Sequence, residues 1–206
     1  MEISLVTVTD GKNLSNLKRM LDSARPIVSE VVILYQGRDG DTFRQIKELA
    51  NFAYMVSPKG NADPDRNFAY GLATKEWVLA LDDDEWLPEE TQKFIAQVTL
   101  SKADLVWFNF TNLIDGVDIK EILGEDPHPR LWRNQQGIIN WPGQAHTYPQ
   151  VNPAAKLIYT KRVIIHDRKY EDVDRRHVER GTVVDEQSKQ REAQFINAVK
   201  AKLGKK

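Results

Sequence analysis

Asp82, Asp83, Asp84 and Glu85 stand in a row directly after the apolar run Trp77 to Leu81. Carboxylates packed within about 13 Å of chain concentrate negative charge that is costly unless a cation or strong donors offset it. On a strand end Asp82 and Asp84 point to one side and Asp83 to the other. Two carboxylates converging at one edge suit a hard divalent ion, Mn2+ or Mg2+, which also takes phosphate oxygens. The plain alternative is a solvated loop, with Glu85, Glu89 and Glu90 serving a helix dipole around Pro88. The buried strand in front of the run and the loops gathered beside it favour the ligand-binding reading.

Those loops follow from the order of elements. Ile3 to Val8 is a β-branched apolar run closed by Thr9-Asp10-Gly11, and Leu14, Leu17, Met20, Leu21 and Ala24 then recur at helical spacing until Pro26. Glu30 to Leu34 is a second strand ending in Gln36 to Gly40, and Thr42 is placed to cap a helix carrying Phe43, Ile46, Leu49 and Ala50. A third strand spans Ala53 to Val56, before a loop from Ser57 to Asn61. Asp63-Pro64 has the chemistry of an N-cap and first helical position for a helix through Phe68, Ala69, Leu72 and Ala73. Trp77 to Leu81 is the fourth strand, Pro88 opens another helix, and Leu105 to Phe110 is the fifth strand. Alternating strands and helices joined by short loops predict an α/β fold, a mostly parallel central sheet flanked by helices. Ligands of such sheets sit beyond the carboxyl ends of the strands, where Thr9-Asp10, Tyr35-Gln36 and Asp82 to Glu85 are gathered.

After Phe110 the pattern is looser, with strand-like pieces at Lys156 to Tyr159 and Arg162 to Ile165, mixed charges from Asp167 to Arg180, and a closing helix over Gln194 to Leu203. With no internal repeat and no low-complexity linker, the expectation is a single domain over 1–206, with a first half at 1–110 and a second half, including C-terminal helices, at 111–206.

Composition sets outer bounds. The 206 residues are 41% hydrophobic and carry 29 basic against 30 acidic side chains, a formal charge of −1 that gives no net field for a polyanion, so no nucleic-acid partner is expected. The absence of cysteine excludes thiol catalysis, disulfides and zinc-finger chemistry, and fits a reducing, cytoplasmic setting. No segment reads as a signal peptide or as a transmembrane helix. The charges of Lys169 to Arg180 read as a solvated helix face or as a basic surface facing phospholipid, which leaves peripheral membrane contact open.

Three stretches together resemble the inverting family 2 glycosyltransferases of the GT-A (Rossmann-like) fold. Ile3 to Thr9 with the leucine-rich helix and Glu30 to Leu34 is similar to the nucleotide-binding half. Asp65 to Glu85 resembles the family's arginine-asparagine helix leading into its aspartate-x-aspartate (DXD) motif. Pro129-Arg130-Leu131-Trp132-Arg133-Asn134, through Trp141-Pro142-Gly143-Gln144-Ala145-His146, resembles the acceptor-side segment of lipopolysaccharide-core and related transferases.

The resemblance implies a UDP- or GDP-sugar donor, Mn2+ or Mg2+ as cofactor, and an acceptor hydroxyl on a glycan, a lipid-linked group or a protein. Asp84 would ligate the metal and Asp82 would hold the ribose or a metal-bound water, with Asp83 at the periphery. Arg66 and Asn67 would bond the diphosphate or ribose, against the alternative that Arg66 pairs with Asp63 or Asp65. Thr7 and Thr9 belong to the same nucleotide-binding half. In place of the family's base-reading aspartate stand Tyr35 and Gln36, to stack on the base and bond its edge or simply to finish the strand. Asp10 is a further candidate for base or ribose. The general base is assigned to Asp126 with its neighbour Glu125, Asp115 and Asp118 being rivals, and the family's histidine-glutamate pair appears as His146-Thr147. His166 stands where a histidine completes the metal site in some members. Trp132, Trp141 and Tyr148 are either a sugar-stacking platform or core. Two rival functions remain: a nucleotidyltransferase, for which Thr9 to Asn13 is a poor phosphate loop, and a noncatalytic sugar-nucleotide or partner-binding protein on the same fold.

Overall fold

The computed structural model describes residues 1–59, 62–143, 148–171 and 186–204. His146, Thr147 and His177, and the charged stretch from residue 172 to residue 180, lie outside the described residues.

The chain divides into two compact units, Met1–Asn109 with Pro127–Ile164, and Phe110–Asp126 with Ile165–Lys206. In the first, β1 (Ile3–Thr9) and β2 (Glu30–Gln36) are buried along their whole length because sheet and helices cover both faces. β1 pairs in parallel with β2 on one side and with β4 (Trp77–Ala80) on the other, and β3 (Phe52–Val56) adds a parallel outer strand to β2. β8 (Pro127–Arg133) then runs antiparallel between β4 and β6 (Leu105–Ile114). The full order is β3-β2-β1-β4-β8-β6-β11-β5, with β5 at Glu85–Trp86 and β11 at Leu157–Arg168, and β7 (Val117–Asp118) pairing with β6. The two strand-like pieces read after residue 155 are thus one strand, β11.

Helix α1 (Leu14–Ala24) is capped by the Asn13 side chain and buries Leu17, Met20, Leu21 and Ala24, the expected face. Helix α2 (Gly40–Leu49) starts earlier than Thr42 suggests. Asp39 is its cap, its carboxylate accepting the Thr42 N–H at 2.7 Å. The helix expected after Asp63-Pro64 is shorter than its apolar spacing suggests. Asp63–Asp65 forms a 3-10 turn and α3 covers only Arg66–Tyr70, after which Leu72 and Ala73 donate to Ala69 and Tyr70, three residues back, and the coil tightens. Helix α4 (Glu89–Val98) has Glu89 and Glu90 in its first turn.

One face of the sheet packs Val6, Val8, Val32, Leu34, Val78 and Ala80 against Ala69 and Tyr70 of α3 and against Trp132 and Trp141. A small two-stranded sheet, β9 (Ile139–Asn140) with β10 (Gln150–Val151), adjoins this cluster through Ile139 and Val151.

The second unit holds the end of β6, β7, the short helix α5 (Lys120–Leu123), the end of β11 and α6 (Glu186–Leu203). Its core is Ile114, Ile119, Tyr170, Ile196 and Val199. The β6–β7 hairpin turns on Asp115 and Gly116 at φ 50° and 77°, the left-handed pair a two-residue hairpin requires.

Candidate functional site

At the carboxyl end of β4 the strand does not run on as an alternating pair of carboxylates. Leu81 still donates to Val6, but the chain then turns: the Glu85 N–H donates to the Asp82 carbonyl at 3.0 Å and the Asp82 N–H to the Glu85 carboxylate at 3.2 Å. The turn is anchored by two guanidinium groups. Arg66 forks onto Asp82, Nη1 to Oδ1 at 2.9 Å and Nη2 to Oδ2 at 3.1 Å, while its Nε bonds Asp63 at 2.9 Å and its Nη1 donates to the Tyr70 hydroxyl at 3.0 Å. Arg130 bonds Glu85 through Nε at 2.9 Å and Nη2 at 2.6 Å, and reaches Asp82 Oδ2 at 3.3 Å. Arg130 and Glu85 are 5% and 1% exposed, so the pair sits inside the fold. β8 aims Arg130 there through a bulge. Leu131 stands opposite Val106 and Pro129 opposite Trp107, which leaves Arg130 as the extra residue.

Burial pulls the Arg66 and Arg130 guanidinium pKa values down, but the charge of Asp82 on Arg66, and of Glu85 and Asp82 on Arg130, outweighs it, so both sit above the ordinary value. At Asp83 the raised value instead marks a charged form that is disfavoured. Burial and the neighbouring Asp84 charge push its carboxyl up to about 7, against the hydrogen bond it accepts from the Thr9 hydroxyl. Thr9 in turn accepts the Gly11 N–H at 3.0 Å, so the loop after β1 is tied to the acidic turn.

The other candidates for the nucleotide lie as follows. Thr7 is 1% exposed with its hydroxyl in the sheet interior, a position from which it cannot touch a ligand. Asp10 is exposed, its carboxylate accepting the Lys12 N–H at 3.0 Å and pairing with the Lys12 ammonium at 2.7 Å, as a turn-forming aspartate does. Tyr35 is buried and stacks on Phe43 of α2 at 6.1 Å, and a Cβ on Gly37 would fall 2.0 Å from its ring, so it closes the loop rather than facing a base. Gln36, also buried, donates to Asp65 at 2.7 Å. Asp65 further binds Lys59, so Arg66 pairs with Asp63 and Asp82 and not with Asp65. The Asn67 amide is spent on the Asn140–Trp141 segment, accepting the Trp141 N–H at 2.8 Å and donating to the Trp141 carbonyl at 2.7 Å and to the Asn140 side-chain Oδ1 at 2.9 Å. Trp132 and Trp141 pack edge-on against Tyr70 and are core, not a platform, whereas Tyr148 is 68% exposed and stacks on His128.

In the second unit Glu125 is exposed and Asp126 half-buried. Asp126 Oδ2 accepts from Asn112 Nδ2 at 3.1 Å, and the Asn112 Oδ1 meets His166 Nδ1 at 2.8 Å. The His166 ring also lies edge-on to Phe110 at 5.5 Å. Asp118 accepts the Lys120 N–H and Asp115 the Tyr170 N–H, bonds that order turns.

Among the described residues no cluster of three or more His, Asp or Glu side chains stands ready to hold a metal ion. Both Asp82 oxygens face guanidinium groups, so Asp82 does not fit as a ligand. Among the described residues, the half-buried Asp84 would hold an ion with the help of further donors such as phosphate oxygens. Three partners in these arrangements are absent from any reading of spacing: Arg130, Glu85 as a buried acceptor, and Asn112. A lone arginine within the apolar stretch Pro129 to Trp132 is a signal that could have found the first.

No protein-family model and no curated protein matches the chain. Solved structures do. The chain is similar to S. aureus TarS 1–349 with TM-score 0.57 and 16% identity, over 98% of this chain and 72% of that one. The same protein in complex with UDP matches at TM-score 0.57 and 17% identity over 98% and 72%, and in complex with UDP-GlcNAc at 0.53 and 16% over 98% and 73%. At that identity the likeness establishes the fold alone, an α/β domain with a central sheet flanked by helices, similar to that of TarS.

Proposed function

We propose that the chain is an inverting, family 2-type glycosyltransferase that moves a sugar from a nucleotide diphosphate sugar, UDP-linked before GDP-linked, to an acceptor hydroxyl. The observation that carries the reading is the acidic turn at the carboxyl end of β4, tied by Thr9 to the loop after β1, on a fold shared with a protein solved with UDP and with UDP-GlcNAc. Asp84, with the donor's phosphate oxygens, is the residue to hold Mn2+ or Mg2+, an ion that offsets charge on a leaving diphosphate. Arg66 and Arg130 fix Asp82 and Glu85 so that the turn keeps its shape when the anionic donor arrives. The acceptor oxygen attacks the anomeric carbon as the bond to the diphosphate oxygen breaks, and Asp126 takes the hydroxyl proton. The test is release of nucleoside diphosphate from a panel of UDP- and GDP-sugars, with water and with simple glycosides as acceptors. Turnover that Asp84→Asn abolishes supports the transferase. Tight donor binding without release across the panel supports the noncatalytic binding protein instead.

A further inference from the structure

Asn112 is 3% exposed, lies two residues beyond Phe110 on β6, and has its backbone carbonyl bonded by the Ile119 N–H at 3.0 Å. Its amide therefore has little room to turn, and each end is engaged by a group able to do chemistry. A carboxylate only accepts hydrogen bonds, so the amide must present Nδ2 to Asp126. Its Oδ1 then faces the imidazole, and an amide oxygen only accepts, so His166 must donate from Nδ1. A neutral imidazole carries one proton, which leaves the lone pair at Nε2.

We propose that Asn112 is a positioning residue: one amide orients the Asp126 carboxylate and holds His166 in its Nδ1–H tautomer, with Nε2 as the ring's acceptor atom. The part concerning catalysis rests on Asp126 being the base of the proposed transfer, whereas the tautomer does not. Phe110 and Asn112, on the same side of β6, pin the ring from two directions, so tautomer and orientation are set together. A histidine that donates through one nitrogen to a fixed oxygen keeps its other nitrogen as a hydrogen-bond acceptor.

The experiment is long-range proton–nitrogen correlation spectroscopy on the histidine-labelled full chain, His166→Gln supplying the assignment, alongside steady-state kinetics. The parent is expected to show protonated Nδ1 and bare Nε2 at His166 once the ring is neutral. Asn112→Leu is expected to lose that preference and to lower kcat on the order of 10- to 100-fold, with donor KM within about twofold. Asn112→Asp, which keeps the shape but cannot donate to Asp126, serves should the leucine variant not fold, and is expected to lower kcat likewise. A protonated Nε2 in the parent overturns the proposal, and so does an unchanged kcat in a folded variant. The Nδ1–H tautomer in a parent that turns over no donor confirms the amide geometry and overturns the transferase reading.

Discussion

Arg130 binds Glu85 through two nitrogens, at 2.9 and 2.6 Å, inside the fold and directly beneath the turn that carries Asp82 to Asp84. An ion pair at 5% and 1% exposure has given up its hydration, so its geometry, not its Coulomb attraction alone, holds it in place. Arg130→Met leaves Glu85 buried without that partner and is expected to cost about 3–5 kcal/mol. Adding Glu85→Gln should recover much of the loss. Urea unfolding of the two variants checks this, and a single variant as stable as the parent would show that the pair is dispensable.

Asp83 gives stability a pH signature. Its carboxyl titrates at about 7 in the folded chain and at the ordinary value of 3.8 when unfolded. Between those values the folded state binds more protons than the unfolded state, so this group's contribution falls as pH rises through the window. The penalty is absent below the unfolded value and complete above about 7. With a chelator present, Asp83→Asn should raise Tm more at pH 8 than at pH 5, as calorimetry would show. A gain larger at pH 5 would contradict the burial of Asp83 beside Asp84.

Tyr35 and Gly37 form a steric pair. Because a Cβ at Gly37 would stand 2.0 Å from the ring, Gly37→Ala must displace a buried tyrosine, at about 1–3 kcal/mol. Tyr35→Phe keeps the ring and should leave nucleotide affinity unchanged in titration calorimetry. A marked loss of affinity would return Tyr35 to the base site.

Trp141 separates core from platform. At 5% exposure, edge-on to Tyr70 and tilted against Trp132, it is expected on truncation to alanine to cost about 3–5 kcal/mol in thermal or urea unfolding. An acceptor-binding defect at full stability would assign it to the platform instead.

The alternation of buried runs and amphipathic stretches made the first four strands, α1 and the position of the acidic turn legible, because strand and helix periods are local properties. The length of α3 was not, since Leu72 and Ala73 satisfy helical spacing while their N–H groups bond three residues back. Nor was the role of Asn67, whose amide is spent on Trp141, a residue 74 positions away. Side-chain partners across strands, Arg130 with Glu85 and Asn112 with His166, depend on register and on a bulge, and no spacing along one strand encodes them. Thr7 illustrates the converse. Its residue type suits a nucleotide site, and only its place inside the sheet removes it from contact.

Isothermal titration of UDP and GDP into the parent and into Asp84→Asn, with and without Mn2+, decides whether the acidic turn receives a nucleotide diphosphate. The parent is expected to bind one nucleotide, more tightly with Mn2+, and the variant to lose that binding. Absence of binding by either nucleotide, with or without metal, would mean that Arg66 and Arg130 hold the turn for structure alone, and the glycosyltransferase assignment would fall.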